Sequence, residues 1–228
     1  ALRFLDDAIL AQKHFIRAAS LAETPHSVSR TAYWQGRVAE LLPTGDSAEL
    51  AKSYYEKASS HSAAFYGQLA RVKLGQAEGA LRAPPAEAQG NERAKAVRMV
   101  ELLYASGEKD IAHPLVMESV QRLKGEAQVA ALARVVSSIR DARTSLVVGK
   151  LANQRGIAID DLAFPSYGVP QFAALENSAA RSVVFAIARQ ESAFDPRALS
   201  HAGAKGLMQM ITPTARSTAK AAGGGFLG

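Results

Sequence analysis

An all-α protein is the prediction, and three features of the sequence carry it. Apolar residues recur at helical spacing through most of the chain, Pro and Gly interrupt those runs at intervals, and large aromatics alternate with small residues as in stacked helix pairs. From Phe4 to Glu23 the spacing predicts a first helix, stopped by Thr24 and Pro25. Ser27 to Leu42 forms a second run, ended by Pro43, Thr44 and Gly45. Asp46 with Glu49 reads as a capping box that opens a third helix through Tyr54, Tyr55 and Ala58. A fourth carries Phe65, Tyr66, Leu69 and Val72 and stops at Gly75.

The segments TAYWQGRVAELL, AKSYYEKA and AAFYGQLARVKLG have the rhythm of a tetratricopeptide-like unit, in which large residues of one helix pack on Ala or Gly of the next. The period is irregular. Trp34 and the tyrosines are accordingly expected in the core. Residues 76–91, with two prolines, read as a connector or hairpin, and helices resume at about Glu92. Four further helices follow, around Val97–Tyr104, Leu115–Leu123, Val129–Ile139 and Leu146–Leu151, with Gly107, Gly125 and Gly156 near their joints. The stretch AFPSYGVP at 163–170 places a domain boundary, dividing a superhelical domain, 1–164, from a second α domain, 165–228.

Residues 188–215, ARQESAFDPRALSHAGAKGLMQMITPTA, carry the functional information. Val183 to Ala188 are so apolar that the segment from about Glu176 to Ala193 is expected to be a largely buried helix, with Glu191 near its C-terminus. Burial and the negative end of the helix dipole both disfavour a charged carboxylate, which suits a general acid. Asp195 and Pro196 stop the helix. Gly203 and Gly206 then permit a tight turn before Leu207 and Met208 return to apolar packing, Gln209 is presented inward, and a second helix starts.

The pattern of Glu191-Ser192, Phe194-Asp195-Pro196, Ser200, AGAKGLMQ at 202–209 and Thr214-Ala215 resembles the signature of the soluble lytic transglycosylases, whose catalytic domain is similar to goose-type lysozyme. The helical region ahead of it, with its Tyr-Tyr and Phe-Tyr-Gly features, resembles the superhelix that precedes that domain in the large periplasmic members. The resemblance implies an all-α protein in which a helical-repeat superhelix is followed by a partial lysozyme-like α domain. It also implies that Glu191 is the catalytic acid, that Ser200 contacts the glutamate or the sugar, that Gln209 lines the sugar site and that Met208 packs the cleft wall. Ile211 is inferred to stand in the wall where the family commonly has a methionine. In the family the catalytic fold continues with further helices, an Ala-Tyr-Asn segment and a tyrosine near the acid. None of these is present in this sequence, so one wall of the cleft is expected to be missing.

Ordinary glycosidases use two carboxylates, and Asp195, the other acid nearby, is better suited to a cap. The resemblance implies a one-acid mechanism. Glu191 protonates the oxygen between N-acetylmuramic acid and N-acetylglucosamine, the substrate's acetamido group stabilises the cationic centre, and the C6 hydroxyl closes a 1,6-anhydro ring.

Composition narrows the alternatives. A net charge of +6 fits association with an acidic polymer, but the basic residues are dispersed and form no nucleic-acid motif. The histidines at 14, 26, 61, 113 and 201 lack metal-ligand spacing, and cysteine is absent, so neither metal nor organic cofactor is expected. No run of apolar residues is long enough to span a bilayer, so no stable membrane insertion is expected. The resemblance implies a periplasmic location and peptidoglycan glycan strands as partner. A second possibility stays open at this point: a helical-repeat scaffold that binds cell-wall or protein partners without cutting them.

Overall fold

In the computed structural model, residues 6–76, 81–173, 176 and 178–225 are described. They form α1 (Ala8–Ser20), α2 (Pro25–Ala39), α3 (Ser47–Ser59), α4 (Phe65–Lys73), α5 (Lys95–Ala105), α6 (Lys109–Arg122), α7 (Glu126–Ile139), α8 (Ala142–Gln154), α9 (Asp160–Ala163), α10 (Arg181–Glu191) and α11 (Thr212–Ala221), with a 3-10 turn at Gly90–Glu92. Among the described residues the only β pairing is a set of isolated bridges, so the fold is all-α as the periodicity requires. The predicted start of the first helix at Phe4 lies outside the described residues.

The chain divides into two compact units. One falls within Ala1–Pro85 and Ala152–Asp160, the other within Ala86–Leu151 and Asp161–Gly228.

In the first unit, Thr24 caps α2 with a reciprocal Thr24–Ser27 box, and Pro25 occupies the first turn where its missing N–H costs nothing. Asp46 is the N-cap of α3, but its side chain makes no capping hydrogen bond, so the box expected with Glu49 does not form. Helices α2 to α4 pack through Ala32, Tyr33, Ala39, Ala51, Tyr55, Ala58 and Ala70, and α1 packs on α2, with Phe15 stacked on Trp34. The large-on-small packing is explicit at Gly36, where an added Cβ would sit 2.6 Å from the Tyr55 ring. Tyr33 stacks obliquely on Tyr55 and Tyr66 at 5.6 and 5.5 Å, and Trp34 lies edge-on to Tyr33 at 5.8 Å. These aromatics build the core.

A buried ion pair closes this unit. Asp160, with its side chain 1% exposed, accepts from the backbone N–H of Arg82 at 3.1 Å, from its Nε at 2.9 Å and from its Nη2 at 2.6 Å. Arg82 Nη2 also reaches Asn153 Oδ1. Burial pushes the Asp160 carboxyl up, but hydrogen bonds and charge from Arg82 outweigh it and hold the group below its ordinary value. A depressed folded-state value means that this pair stabilises fully above the ordinary carboxylate range and that its contribution is lost as pH falls through the lowered value. Asp160→Asn strands the guanidinium and is expected to cost about 3 kcal/mol, in the range for breaking a buried pair. In urea denaturation the difference from the parent protein should shrink under acid; a loss that persists unchanged at low pH would refute the ion-pair account.

In the second unit α5, α6 and α7 pack on one another. Val97, Val100, Val116, Val120, Val129, Leu132 and Val136 are fully buried, each worth roughly 1.5–3 kcal/mol in apolar transfer. Helix α6 runs through Pro114, extending six residues ahead of the start expected at Leu115. Gly107 and Gly125 take positive φ at the joints, at 84° and 79°, as does Gly156 of the first unit, at 79°. A smaller cluster of Ala142, Leu146, Ala188 and Phe194, flanked by Tyr167, Phe185, Leu207 and Met208, anchors α10 on α8. No helix of the described residues is long and apolar enough to cross a membrane.

Candidate functional site

Helix α10 begins at Arg181, not near Glu176, and ends with Glu191 as its last residue. Only Ala188 of this helix is buried. Val183 is 46% exposed, Ile187 41%, and Glu191 is exposed as well. The expectation of a largely buried helix is therefore corrected: an apolar run reports a need for cover, and the cover has to come from other elements. Spaced at i, i+4 and i+8, Val183, Ile187 and Glu191 share one open stripe. Glu191 makes no hydrogen bond or ion pair with the described residues.

Beyond Glu191 the chain turns sharply. Ala193 and Phe194 both adopt left-handed backbone, φ 52° and 63°, an unfavourable state for residues with a Cβ. The turn is offset by burial of Phe194, 4% exposed, and by its N–H bonding to Ala188 O at 3.3 Å. Ser192 Oγ lies 3.1 Å from Ala188 O and 2.9 Å from Leu207 O, so it ties the helix end to the glycine loop.

Asp195 is committed to structure. Its carboxylate accepts from the Arg197 N–H at 2.9 Å and pairs with Arg143 at 2.7 Å. That leaves it poorly placed to act as a second reacting carboxylate.

The loop 198–210 is a small bridged platform. Leu199 pairs with Lys205, and Lys205 with Met210. Ser200 N–H donates to Ala204 O at 2.9 Å, and Ser200 Oγ accepts from Ala204 N–H at 3.0 Å. Gly203 and Gly206 carry φ of 78° and 71°, which is the left-handed geometry the sequence pattern demands. Gln209, also left-handed at 45°, donates its amide Nε2 to Ala198 O at 3.1 Å and Gly206 O at 3.0 Å. Its side chain thus clips the loop through its amide donors. Met208 is partly buried against the Ala188–Phe194 cluster, and Ile211, 44% exposed, caps the start of α11.

Ser192, next in the chain to Glu191, is bonded to the 198–210 loop through Leu207 O, whereas the Glu191 side chain has no hydrogen bond or ion pair with the described residues. Sequence reasoning missed the left-handed pair at Ala193 and Phe194, which no local residue type announces, and the bridging role of Ser192. It also missed the Arg143–Asp195 pair, whose partners lie 52 residues apart. No group of three or more His, Asp or Glu among the described residues is arranged to hold a metal ion.

Residues 168–225 match the family described as the transglycosylase SLT domain. Among solved structures, the 70 kDa soluble lytic transglycosylase of Escherichia coli matches with a TM-score of 0.60 and 24% identity, over 88% of this chain and 32% of that one. A complex of the 70 kDa soluble lytic transglycosylase with bulgecin A matches with a TM-score of 0.56 and 22% identity, over 99% of this chain and 38% of that one. The chain thus spans about a third of the length of the structures it matches. No curated protein sequence matches it.

Proposed function

We propose that the protein, whose residues 168–225 match the transglycosylase SLT domain family, is a peptidoglycan lytic transglycosylase in which Glu191 is the single catalytic acid. The observation that carries this is the contrast between two neighbouring carboxylates: Asp195 is held by Arg143 and the Arg197 N–H, while Glu191 stands free at the end of α10 beside the bridged loop. One free acid suits a reaction in which the substrate supplies the second group.

Glu191 protonates the glycosidic oxygen between N-acetylmuramic acid and N-acetylglucosamine, and the bond to the muramic C1 breaks. The substrate's acetamido oxygen stabilises the cationic carbon. The Glu191 carboxylate then takes the proton of the C6 hydroxyl, whose oxygen closes the 1,6-anhydro ring at C1. No water is consumed. In this reading desolvation of the exposed acid belongs to binding, when a glycan laid along the end of α10 excludes water from it.

Ser200 and the Gln209 carbonyl are the polar groups the bridged loop offers to the sugar, and Met208 and Ile211 are its apolar wall. The proposed functional division is a superhelical domain, 1–164, that positions glycan strands, and a partial catalytic domain, 165–228. Periplasmic location and peptidoglycan as partner follow as part of the same proposal.

The open stripe at Val183 and Ile187 supports a second reading, a scaffold that binds glycan without cutting it. Incubating the protein with purified sacculi and weighing the released muropeptides separates the two. Products carrying 1,6-anhydro termini are expected; reducing termini would indicate hydrolysis instead, and binding with no release would favour the scaffold.

A further inference from the structure

A cavity lies on the other side of α10 from Glu191. About 430 Å³ in volume, it is lined by Arg181, Phe185 and Arg189 of α10, by Phe164 and Pro165, and by Phe194. Arg181, Phe185 and Arg189 recur every four residues, and Glu191 falls well around the helix from their stripe. The cavity is therefore separate from the face proposed for catalysis, and it is large enough for a small-molecule ligand.

Its two cations are unusual in having no counter-charge. Arg181 stacks on Phe185 at 5.1 Å and Arg189 on Phe164 at 4.8 Å, yet neither pairs with a carboxylate of the described residues. Arg189 is half-buried, and only its Nε is used, donating to Ala163 O at 2.9 Å. Both Nη groups are without a partner among the described residues. Burial alone pushes its guanidinium below the ordinary arginine value. A partly desolvated guanidinium whose parallel donors are unspent has the geometry to take a carboxylate through two hydrogen bonds, and the phenylalanine rings supply walls for an apolar body.

We propose that this cavity is a binding site for a small carboxylate carried on an aromatic or branched-aliphatic group, with Arg189 and Arg181 holding the carboxylate and Phe164, Phe185 and Phe194 enclosing the apolar part. The stacked rings hold both guanidiniums in place before the ligand arrives. Little ordering is then needed on binding.

The test is a titration of the whole chain, followed through the arginine Nε–H resonances by nuclear magnetic resonance. The probes are 3-phenylpropionate, its neutral counterpart 3-phenylpropanol, and inorganic phosphate. Saturable shifts at Arg189 are expected with 3-phenylpropionate, with affinity roughly tenfold or more above either control, as expected for a charge-assisted hydrogen bond combined with apolar burial. Arg181→Gln, which leaves the Arg189 hook on Ala163 intact, should weaken 3-phenylpropionate by roughly tenfold and leave 3-phenylpropanol unchanged. Absence of saturation, equal binding of the alcohol, or equal binding of phosphate would each overturn the proposal. Because these readouts do not involve sacculi, failure of the cavity site is distinguishable from failure of the catalytic assignment.

Discussion

Glu191→Gln is expected to eliminate anhydro-muropeptide release from sacculi while leaving the circular dichroism spectrum and the denaturation midpoint of the protein unchanged. The structural half of this expectation follows from the side chain's isolation. Glu191 is exposed and makes no hydrogen bond or ion pair with the described residues, so the amide removes no native contact. The chemical half follows from the proton. An amide of nearly the same size cannot deliver one to the glycosidic oxygen or collect one from the C6 hydroxyl, and general acid and base work contributes on the order of a hundred- to ten-thousand-fold in rate. The loss should therefore appear in kcat with KM little altered. Asp195→Asn makes the instructive comparison. Weakening the Arg143 pair loosens the turn that follows the acid, so stability and activity should fall together. An active Glu191→Gln protein would remove Glu191 from the mechanism.

Much of the helical layout was legible because it depends on local signals. The breaks at Thr24-Pro25, Pro43 to Gly45 and Gly75 fall at the joints of the described helices, although α1 and α2 stop a few residues earlier, at Ser20 and Ala39, and Pro25 opens α2. Size alternation announced that large residues of one helix pack on Ala or Gly of the next, and the contact of Tyr55 with Gly36 is an instance of it. Burial was another matter. The apolar run at 183–188 has the composition of a core helix, yet α10 exposes Val183 and Ile187, because composition states what a segment would prefer and packing depends on which neighbours reach it.

The candidate site was legible in the same uneven way. Gly203 and Gly206 announce their turn, while Gln209, expected to face a sugar, spends its amide protons on Ala198 and Gly206. A side-chain amide next to a left-handed turn has backbone carbonyls close at hand, and that local competition is invisible in a motif. Asp160 with Arg82, and Arg189 with Phe164, depend on contacts 78 and 25 or more residues away in sequence, beyond the reach of any window.

A single methyl at Gly149 is expected to lower the stability of the second unit substantially. Gly149 lies in α8 where the helix meets the end of α9, and a Cβ there would overlap the backbone N and Cα of Ala163 and come 2.6 Å from the carbonyl carbon of Leu162. Flexible side chains can rotate away from such a contact; main-chain atoms cannot. The two segments have to separate, and Leu146, Leu162 and Ala163, each at most 2% exposed, lose their close packing together. About 3 kcal/mol is expected, the upper part of the range for overpacking a core. Gly45→Ala, where an added Cβ meets nothing within 4 Å, serves as the neutral control in the same urea titration. The consequence extends to the proposed acid. Ala163 O is the acceptor for Arg189 Nε, two residues before Glu191, so displacing Ala163 releases the last turn of α10. Gly149→Ala should accordingly reduce sacculus cleavage even at temperatures where the protein remains folded, and should shift the Arg189 Nε–H resonance. A variant that is as stable as Gly45→Ala would show that α8 and α9 approach less closely than described, and would detach Arg189 from the support of the site.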